Sequence, residues 1–425
     1  MTHAPHSPAG AAERTCCTEY ARVSRRGLFT GGLLAGAAGF TAAIGSAVVT
    51  AGPARAAGAD SVLVVLSLRG AADGLSLVVP YTDDVYYAAR PRIAVPADRL
   101  LAKNGTFGLH PNLSALLPLG DAGELPAIHA TGLPAPNRSH FAAMEEIEDA
   151  APGSAKREGW LNRLIGPLPG SSPLQGFALC SGVVPTSFVG ARPTMSGQNV
   201  ESVAVAGVDQ YDHGTRLASL HSMWNHTGGT LGSGMRAAFG SVSDFEPARE
   251  TVDTVASYPE TDLGRALSEV ARIVRGDVGV GVITVDQGNW DMHSGLGTLE
   301  WGGMRNNAEQ LGGALAAFFA DLGSQRSKVT LVAFSEFGRR VKENSNYGLD
   351  HGYGNAMFVA GAGVKGGRYY GTMPPLSADV DADVPVTTDY RSVLAEIVTT
   401  RFAGASSATV FPGFSPQDVG MMTSL

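Results

Sequence analysis

The residues best suited to metal chemistry lie together in one short stretch. Residues 286–293 (DQGNWDMH) follow an apolar run and contain Asp286, Asp291 and His293. Carboxylates combined with an imidazole suit Zn²⁺, Mn²⁺ or a similar divalent ion. The same stretch also fits a polar turn in which Asp286 caps a helix and His293 hydrogen-bonds to backbone, and the sequence leaves both interpretations open.

Three other polar clusters could supply ligands or bind an anion. Glu336 is a candidate ligand or base, and Arg339 could hold an anionic substrate by a bidentate contact, unless the two form a buried ion pair. His351 lies in a glycine-rich stretch (YGLDHGYG) that suits close approach to a ligand but is also typical of a surface loop. Asp73, in RGAADG, is a candidate metal or phosphate contact, or part of a simple turn.

A serine stands where a predicted helix begins. Arg138, Ser139 and His140 open a helix that we expect to run to about Asp149. Backbone N–H groups and the helix dipole at such a position stabilise an alkoxide or a bound anion. Arg138 adds positive charge and His140 is a nearby base. Capping of the helix is the commoner role for a serine there.

The elements that must position these residues alternate along the chain. The pattern predicts helices over 262–275, 304–322 and 388–402, and buried strands over 61–68, 125–130, 278–285, 328–334 and 356–360. This order favours an α/β fold with a doubly wound, mostly parallel sheet and helices on both faces. Ligands bind beyond the carboxyl ends of strands in such sheets, so we expect the clusters to converge there. Residues 151–260 are predicted to be an insertion or cap.

The first 56 residues read as an export signal. Arg25 and Arg26 precede a weakly apolar stretch, and Ala54-Arg55-Ala56 is a small-x-small cleavage site. We expect the twin-arginine translocase to export the chain, leaving residues 57–425 as one domain in the periplasm, the cell envelope or outside the cell. An uncleaved membrane anchor is the alternative for this segment.

Charge excludes one class of partner. Removing residues 1–56 takes away five arginines and two glutamates, so 26 basic and 37 acidic residues remain, a net charge of −11. Nucleic acid is therefore not expected as a partner, because phosphate binding needs a basic surface. We also expect no transmembrane segment in residues 57–425, since no second long apolar run occurs.

Taken together, the motifs resemble one bacterial family. The chain is similar to the twin-arginine-exported domain-of-unknown-function family 1501, which is related to the alkaline phosphatase and sulfatase superfamily. The resemblance extends from about Ser61 to Phe402 and is carried by LRGAADG (68–74), GLHP (108–111), NRSHF (137–141), GWL (159–161), WDMH (290–293), SEFGR (335–339) and DHG (350–352).

The resemblance implies a metal-dependent hydrolase of phosphate or sulfate esters, acting on a small-molecule or polymer ester. It implies Ser139 as the nucleophile, Asp291 and His293 as ligands of one metal, and Glu336 and His351 as further ligands. Zn, Mn, Mg or Ca would be the cofactor.

The chain departs from the superfamily at two of these positions. Arg69 stands where a metal-binding Asp is expected, so that Asp73 would have to substitute for it, and Phe337 stands where a histidine ligand is expected. The alternative hypothesis is a non-catalytic envelope binding or assembly protein that kept the fold with an incomplete metal site.

Overall fold

The computed structural model describes residues 58–180, 182–205 and 214–423. The predicted export signal, residues 1–56, lies outside the described residues. Within the described part, no helix has the length and apolar character needed to cross a membrane.

A nine-stranded sheet forms the centre of the molecule, in the order β10-β4-β9-β8-β1-β7-β5-β6, with β11 paired beside β4. A separate antiparallel pair joins β2 to β3. The strands are β1 (Val62–Leu68), β2 (Val78–Val79), β3 (Gly108–Leu109), β4 (Ala127–Gly132), β5 (Gly176–Leu179), β6 (Met195–Gly197), β7 (Val282–Gln287), β8 (Val329–Phe334), β9 (Asn355–Gly361), β10 (Tyr369–Tyr370) and β11 (Thr388–Asp389).

The predicted α/β fold with a mostly parallel sheet is confirmed, with one strand reversed. β1 pairs in parallel with both β7 and β8. β9 instead runs antiparallel to both of its neighbours, β8 and β4. This reversal places the amino end of β9 at the edge where β1, β7 and β8 have their carboxyl ends. The residues that precede β9 therefore meet those that follow the other strands.

The sheet has an apolar core on each face. Successive side chains of β1 point to opposite faces, so Val64 and Leu66 pack in one cluster while Leu63 and Val65 pack in another. The helices are α1 (Gly74–Leu77), α2 (Asp84–Ala89), α3 (Leu117–Asp121), α4 (His140–Asp149), α5 (Trp160–Ile165), α6 (Thr215–Asn225), α7 (Gly229–Asp244), α8 (Glu246–Glu250), α9 (Asp262–Arg275), α10 (Gly303–Asp321), α11 (Tyr390–Arg401) and α12 (Ser407–Val410).

The long helices follow the predicted apolar stripes. α9 begins after Thr261, whose side chain accepts a hydrogen bond from the Gly264 N–H, and it buries Leu267 and Val270 against the first cluster. α11 begins after Asp389, which caps the N–H of Arg391, and it packs in the second cluster. Burial of one stripe, with a capped first turn, is enough to fix each helix on its face of the sheet.

The stretch 151–260 is not simply an insertion around the sheet. It supplies β5, which pairs with β7, and β6, which pairs with β5, so it forms one edge of the main sheet. These strands are only four and three residues long and include Gly176, Ser196 and Gly197. Such short runs lack the apolar periodicity that identified the other strands.

Candidate metal centre

Four connections meet at one edge of the sheet. Asp291 and His293 lie between β7 and α10, and Glu336 lies two residues beyond β8. His140 is the first residue of α4, and His351 precedes the reversed strand β9. The backbones on either side of His351 are held by hydrogen bonds from the Gly352 N–H to the Gly338 carbonyl and from the Arg340 N–H to the Asp350 carbonyl.

Three imidazoles point their Nε2 atoms at one another. The Nε2 atom of His351 lies 3.0 Å from that of His140 and 2.9 Å from that of His293. The Asp291 carboxylate completes the group, with oxygens 3.5 Å from His140 Nε2, 3.2 Å from His293 Nε2 and 3.4 Å from His351 Nε2. His140, Asp291 and His351 satisfy the spacing of a metal-binding triad. His293 contacts two of these three residues.

The other nitrogen of each imidazole already has a partner. Nδ1 of His140 lies 2.7 Å from Oε1 of Glu336, and Nδ1 of His293 lies 3.2 Å from Oδ1 of Asp350. Nδ1 of His351 lies 2.9 Å from the carbonyl oxygen of Arg138 and must donate to it, because a carbonyl only accepts. Histidines that bind metals are oriented in this way, by a carboxylate or carbonyl on the nitrogen that faces away from the ion.

The facing Nε2 atoms need a proton or a metal ion between them. With its proton on Nδ1, neutral His351 presents a lone pair at Nε2, and so does each neighbour that has the same tautomer. Lone pairs about 3 Å apart repel unless a proton or a metal ion lies between them. Two nitrogen ligands about 2.1 Å from a tetrahedral zinc ion lie about 3.4 Å apart, close to the spacing of this group. The donor set therefore fits a divalent ion.

The charges of the two carboxylates are fixed by their partners. Burial raises the pKa of Glu336, but hydrogen bonds from His140 and Ser335 outweigh it and hold that pKa below its usual range. Burial also raises the pKa of Asp291, and the Arg339 guanidinium overcomes this and lowers it. Both carboxyl groups are therefore ionised at neutral pH.

The pKa values of the two triad histidines are shifted in opposite directions. Burial lowers the pKa of His140, yet the hydrogen bond and charge of Glu336 outweigh it and raise the pKa above its ordinary value. Burial lowers the pKa of His351, and the nearby positive charge of Arg339 adds to that effect. One imidazole of the pair is thus disposed to hold a proton while the other stays neutral, which is the protonation that their 3.0 Å contact requires.

The sequence suggested Arg339 as a contact for an anionic substrate, but the structure buries it behind Asp291. It is buried, with a side chain 1% exposed, and donates to Oδ1 of Asp291 at 2.6 Å. Its other N–H groups donate to carbonyl oxygens of Ala71, Gly70, Leu349 and Trp290. Arg339 is therefore a positioning residue for Asp291, and the alternative of an ion pair between Arg339 and Glu336 is not observed.

Phe337, which stands where the resemblance implies a histidine, packs against the centre. Its ring stacks on His140 at 5.0 Å and contacts His351 at 5.0 Å. Glu336, beside it, lies behind His140 rather than beside the Asp291 carboxylate. Glu336 therefore orients a ligand instead of belonging to the triad itself.

Ser139 and Arg138 lie at the rim of the centre. Ser139 is exposed and caps α4, with Oγ 3.5 Å from the N–H of Ala142, so the predicted capping role is observed. It also stands directly before His140, at the helix N-terminus where an anion is favoured. Arg138 forms an ion pair with Asp383, and its carbonyl accepts from His351.

Two acidic residues proposed as ligands lie elsewhere. Asp73 is buried in a bidentate ion pair with Arg90, at 2.5 and 3.0 Å, and also caps α1. Both of its oxygens are occupied, so it does not replace a missing ligand. Asp286 is paired with Arg69 at 3.0 Å, and Arg69 also contacts Glu148 at 3.1 Å.

One ligand position was missed from the sequence. His140 was interpreted as a base beside Ser139, whereas the structure places its Nε2 in the triad. The available signal was an imidazole on the first turn of a helix that follows a strand, because that turn faces the same edge as the other clusters.

Residues 110–399 match the sequence of a protein family described as a protein of unknown function, DUF1501. The chain belongs to this family, as its motifs indicated. The match includes the triad together with His293 and Glu336, but not Asp73. No curated protein matches the chain.

Proposed function

We propose that the protein is an exported, metal-dependent hydrolase of phosphate or sulfate esters, with an alkaline-phosphatase-like arrangement of its sheet. The observation that carries the proposal is the convergence of three imidazole Nε2 atoms on the Asp291 carboxylate, with each Nδ1 held from behind. His140, Asp291 and His351 would hold one divalent ion, with His293 as a fourth donor.

The donor set narrows the choice of metal. Two or three imidazole nitrogens and one carboxylate are typical of Zn²⁺ and Mn²⁺ sites, whereas Mg²⁺ and Ca²⁺ prefer a shell of oxygens. Zn²⁺ or Mn²⁺ is therefore the expected ion. When bound, it would supply a Lewis acid that polarises an ester oxygen and makes a hydroxyl group more acidic.

Residues of the protein would supply the nucleophile and hold the candidate ligands in position. Ser139, exposed at the N-terminus of α4 and adjacent to His140, is the candidate nucleophile. Glu336 fixes the ring of His140 from behind, and Arg339 fixes the carboxylate of Asp291. Ligand geometry is then set before substrate arrives, which is the condition for electrostatic stabilisation of a transition state.

Metal content of the purified protein, measured by elemental analysis, tests this proposal. We expect about one Zn²⁺ or Mn²⁺ per chain. His140→Ala and His351→Ala should lose it, while His226→Ala, a change at an exposed histidine on another part of the surface, should keep it. Turnover of aryl phosphate or sulfate esters by the metal-loaded protein, absent in Ser139→Ala, would support Ser139 as the nucleophile. Equal metal content in all of these variants would contradict the proposal.

One observation favours the alternative of a non-catalytic envelope binding or assembly protein. The two arginines expected to bind the charged ester are otherwise engaged: Arg339 is buried against Asp291, and Arg138 is paired with Asp383. A metal-loaded protein that binds but does not turn over aryl esters, with Ser139→Ala behaving as wild type, would select this alternative.

A further inference from the structure

Two exposed aromatic rings lie on the chain segments that carry the candidate ligands. Of the Phe, Tyr and Trp side chains in residues 58–180, 182–205 and 214–423, Phe141 (49% exposed) and Trp301 (47%) are the exposed ones. Phe141 directly follows the candidate ligand His140 on α4. Trp301 lies on the same connection as Asp291 and His293, between β7 and α10. Exposed rings on the segments that form a site are candidates for contacting its ligand.

Trp301 is held in place by a tight turn. Gly297 and Gly302 adopt φ angles of +85° and +117°, and a Cβ atom on Gly297 would lie 2.1 Å from the Trp301 carbonyl oxygen. The Thr298 N–H donates to that same oxygen at 2.7 Å. The two glycines therefore fix the backbone of the turn that carries the exposed indole.

The turn is joined to the centre through its neighbours. The Gly297 N–H donates to the Tyr347 carbonyl at 3.1 Å, and the Tyr347 ring lies 5.4 Å from that of Trp301, tilted by 60°. The next residue, Gly348, packs against the carbonyl of His293. The indole is 47% exposed despite this tilted contact, and it lies beside the loop that carries His293.

The charges near the metal centre favour some classes of stacking ligand over others. Asp291 and Asp350 are exposed, and Arg138 is already paired. The chain without residues 1–56 has a net charge of −11, which disfavours the phosphate backbone of a nucleic acid. Sugar rings offer an apolar face for stacking and hydroxyl groups for hydrogen bonds. Exposed Glu300 precedes Trp301 and exposed Asn346 precedes Tyr347, and both side chains can form those hydrogen bonds.

We propose that Trp301 and Phe141 are sugar-binding platforms beside the metal centre, so that the substrate is an ester carried by a glycan. This rests on the proposed function for the identity of the reacting group, but not for the binding of the sugar.

Affinity electrophoresis in gels that contain soluble polysaccharides tests the proposal. The probes are dextran, dextran sulfate, xylan and pentosan polysulfate, with oligothymidylate as the nucleic acid probe. We expect the wild-type protein to be retarded by at least one of these polysaccharides. Trp301→Ala should weaken that binding about tenfold or more, as loss of a stacking ring does elsewhere, and Phe141→Ala should weaken it less or equally. Trp301→Phe should stay close to wild type because a ring is retained.

Trp224→Ala, which removes an indole on α6, is the matched control and should bind as wild type. Metal content is measured on the same preparations. If Trp301→Ala keeps its metal and binds polysaccharide as the wild type does, the sugar-binding inference is overturned and the proposed function is not. Binding that depends on Trp301 in a protein without metal leaves this inference standing and removes the proposed hydrolase. Absence of binding to every polysaccharide, or oligothymidylate binding that is lost in Trp301→Ala, also overturns it.

Discussion

Glu336→Gln is the change that best separates a metal centre from a structural hydrogen-bond network. Glu336 is 2% exposed and holds His140 through a 2.7 Å contact between Oε1 and Nδ1. Its other oxygen, Oε2, lies 2.8 Å from Ser335 Oγ and competes with the Leu68 carbonyl for the single hydroxyl proton. A glutamine has the same shape, keeps an oxygen to accept from His140, and loses only the negative charge.

The glutamine amide can also be satisfied at this position. If its NH₂ group replaces Oε2, it donates to Ser335 Oγ, which still accepts from the Ala72 N–H at 3.0 Å and donates to the Leu68 carbonyl at 2.5 Å. No buried donor or acceptor is left without a partner, so we expect the fold to be retained.

The effect on metal affinity should be larger than the effect on folding. The bond between His140 and the carboxylate is charge-assisted, and such bonds are about twice as strong as neutral ones. Removing a partner that orients a ligand typically weakens metal binding by about 10–100-fold. This corresponds to about 1.4–2.7 kcal/mol of binding free energy.

The measurement is a competition titration of Zn²⁺ against a chromophoric chelator at pH 8, where protons compete little for His140. Glu124→Gln, the same change at the ion pair with Arg326, is the matched control and should bind as wild type. The loss from Glu336→Gln should disappear in a His140→Ala background. A folded Glu336→Gln protein that binds Zn²⁺ within about twofold of wild type would refute the assignment of His140 as a ligand.

Two further predictions concern stability. Asp73→Asn leaves the buried Arg90 (0% exposed) without its counter-charge, so the free energy of unfolding should fall by about 3–5 kcal/mol in chemical denaturation, while the affinity of the folded protein for Zn²⁺ stays unchanged; a metal defect would show that Asp73 belongs to the centre after all. In the metal-free protein, the raised pKa of His140 gives stability that is fully present below its unfolded pKa of about 6.5 and is lost as the pH rises through the folded pKa, whereas the lowered pKa of His351 acts in the opposite sense, but only at and below about pH 6.5, where its unfolded imidazole takes up a proton. The melting temperature without metal should therefore decline from pH 7 to 8.5, and the rise produced by Zn²⁺ should grow over the same interval; the opposite slope would mean that Glu336 does not hold a proton on His140.

Local sequence patterns were sufficient for most of the elements. α9 has the bounds that its apolar stripe predicted, and β8 differs from its prediction by one residue. Such runs bury a continuous face, and burial dominates the energy of each element. The short strands β5 and β6 were not found because they are held by their neighbours in the sheet rather than by a pattern of their own.

Strand direction could not be read from the residues of β9. Seven buried residues, Asn355–Gly361, suit a parallel or an antiparallel position equally well. The direction is set by the turn before the strand, where the chain doubles back along residues 338–340. This reversal brings His351, which precedes β9, to the edge of the candidate metal centre, so a strand direction that the residues do not reveal positions one of the candidate ligands.

Local sequence patterns also could not predict which polar side chains pair with one another. Arg339 and Glu336 are three residues apart, and an ion pair between them was one alternative, yet each binds a residue from a different connection, Asp291 and His140. Asp73 pairs with Arg90, 17 residues away. Ion pairs of this kind depend on which loops the sheet brings together, whereas the sequence shows only which charges are available.

If the chain has the proposed relation to the alkaline phosphatase superfamily, its departures at Arg69 and Phe337 fit a centre with one ion rather than two. Arg69, directly after β1, pairs with Asp286 and Glu148, where its positive charge would repel a second cation. Phe337 places an apolar ring against His140 and His351, where a further ligand would be needed. The same ring and the carboxylate of Glu336 also hold these imidazoles in position. These residues would then exclude a second ion while they orient the candidate ligands of the first, which is expected of a centre adapted to a single ion.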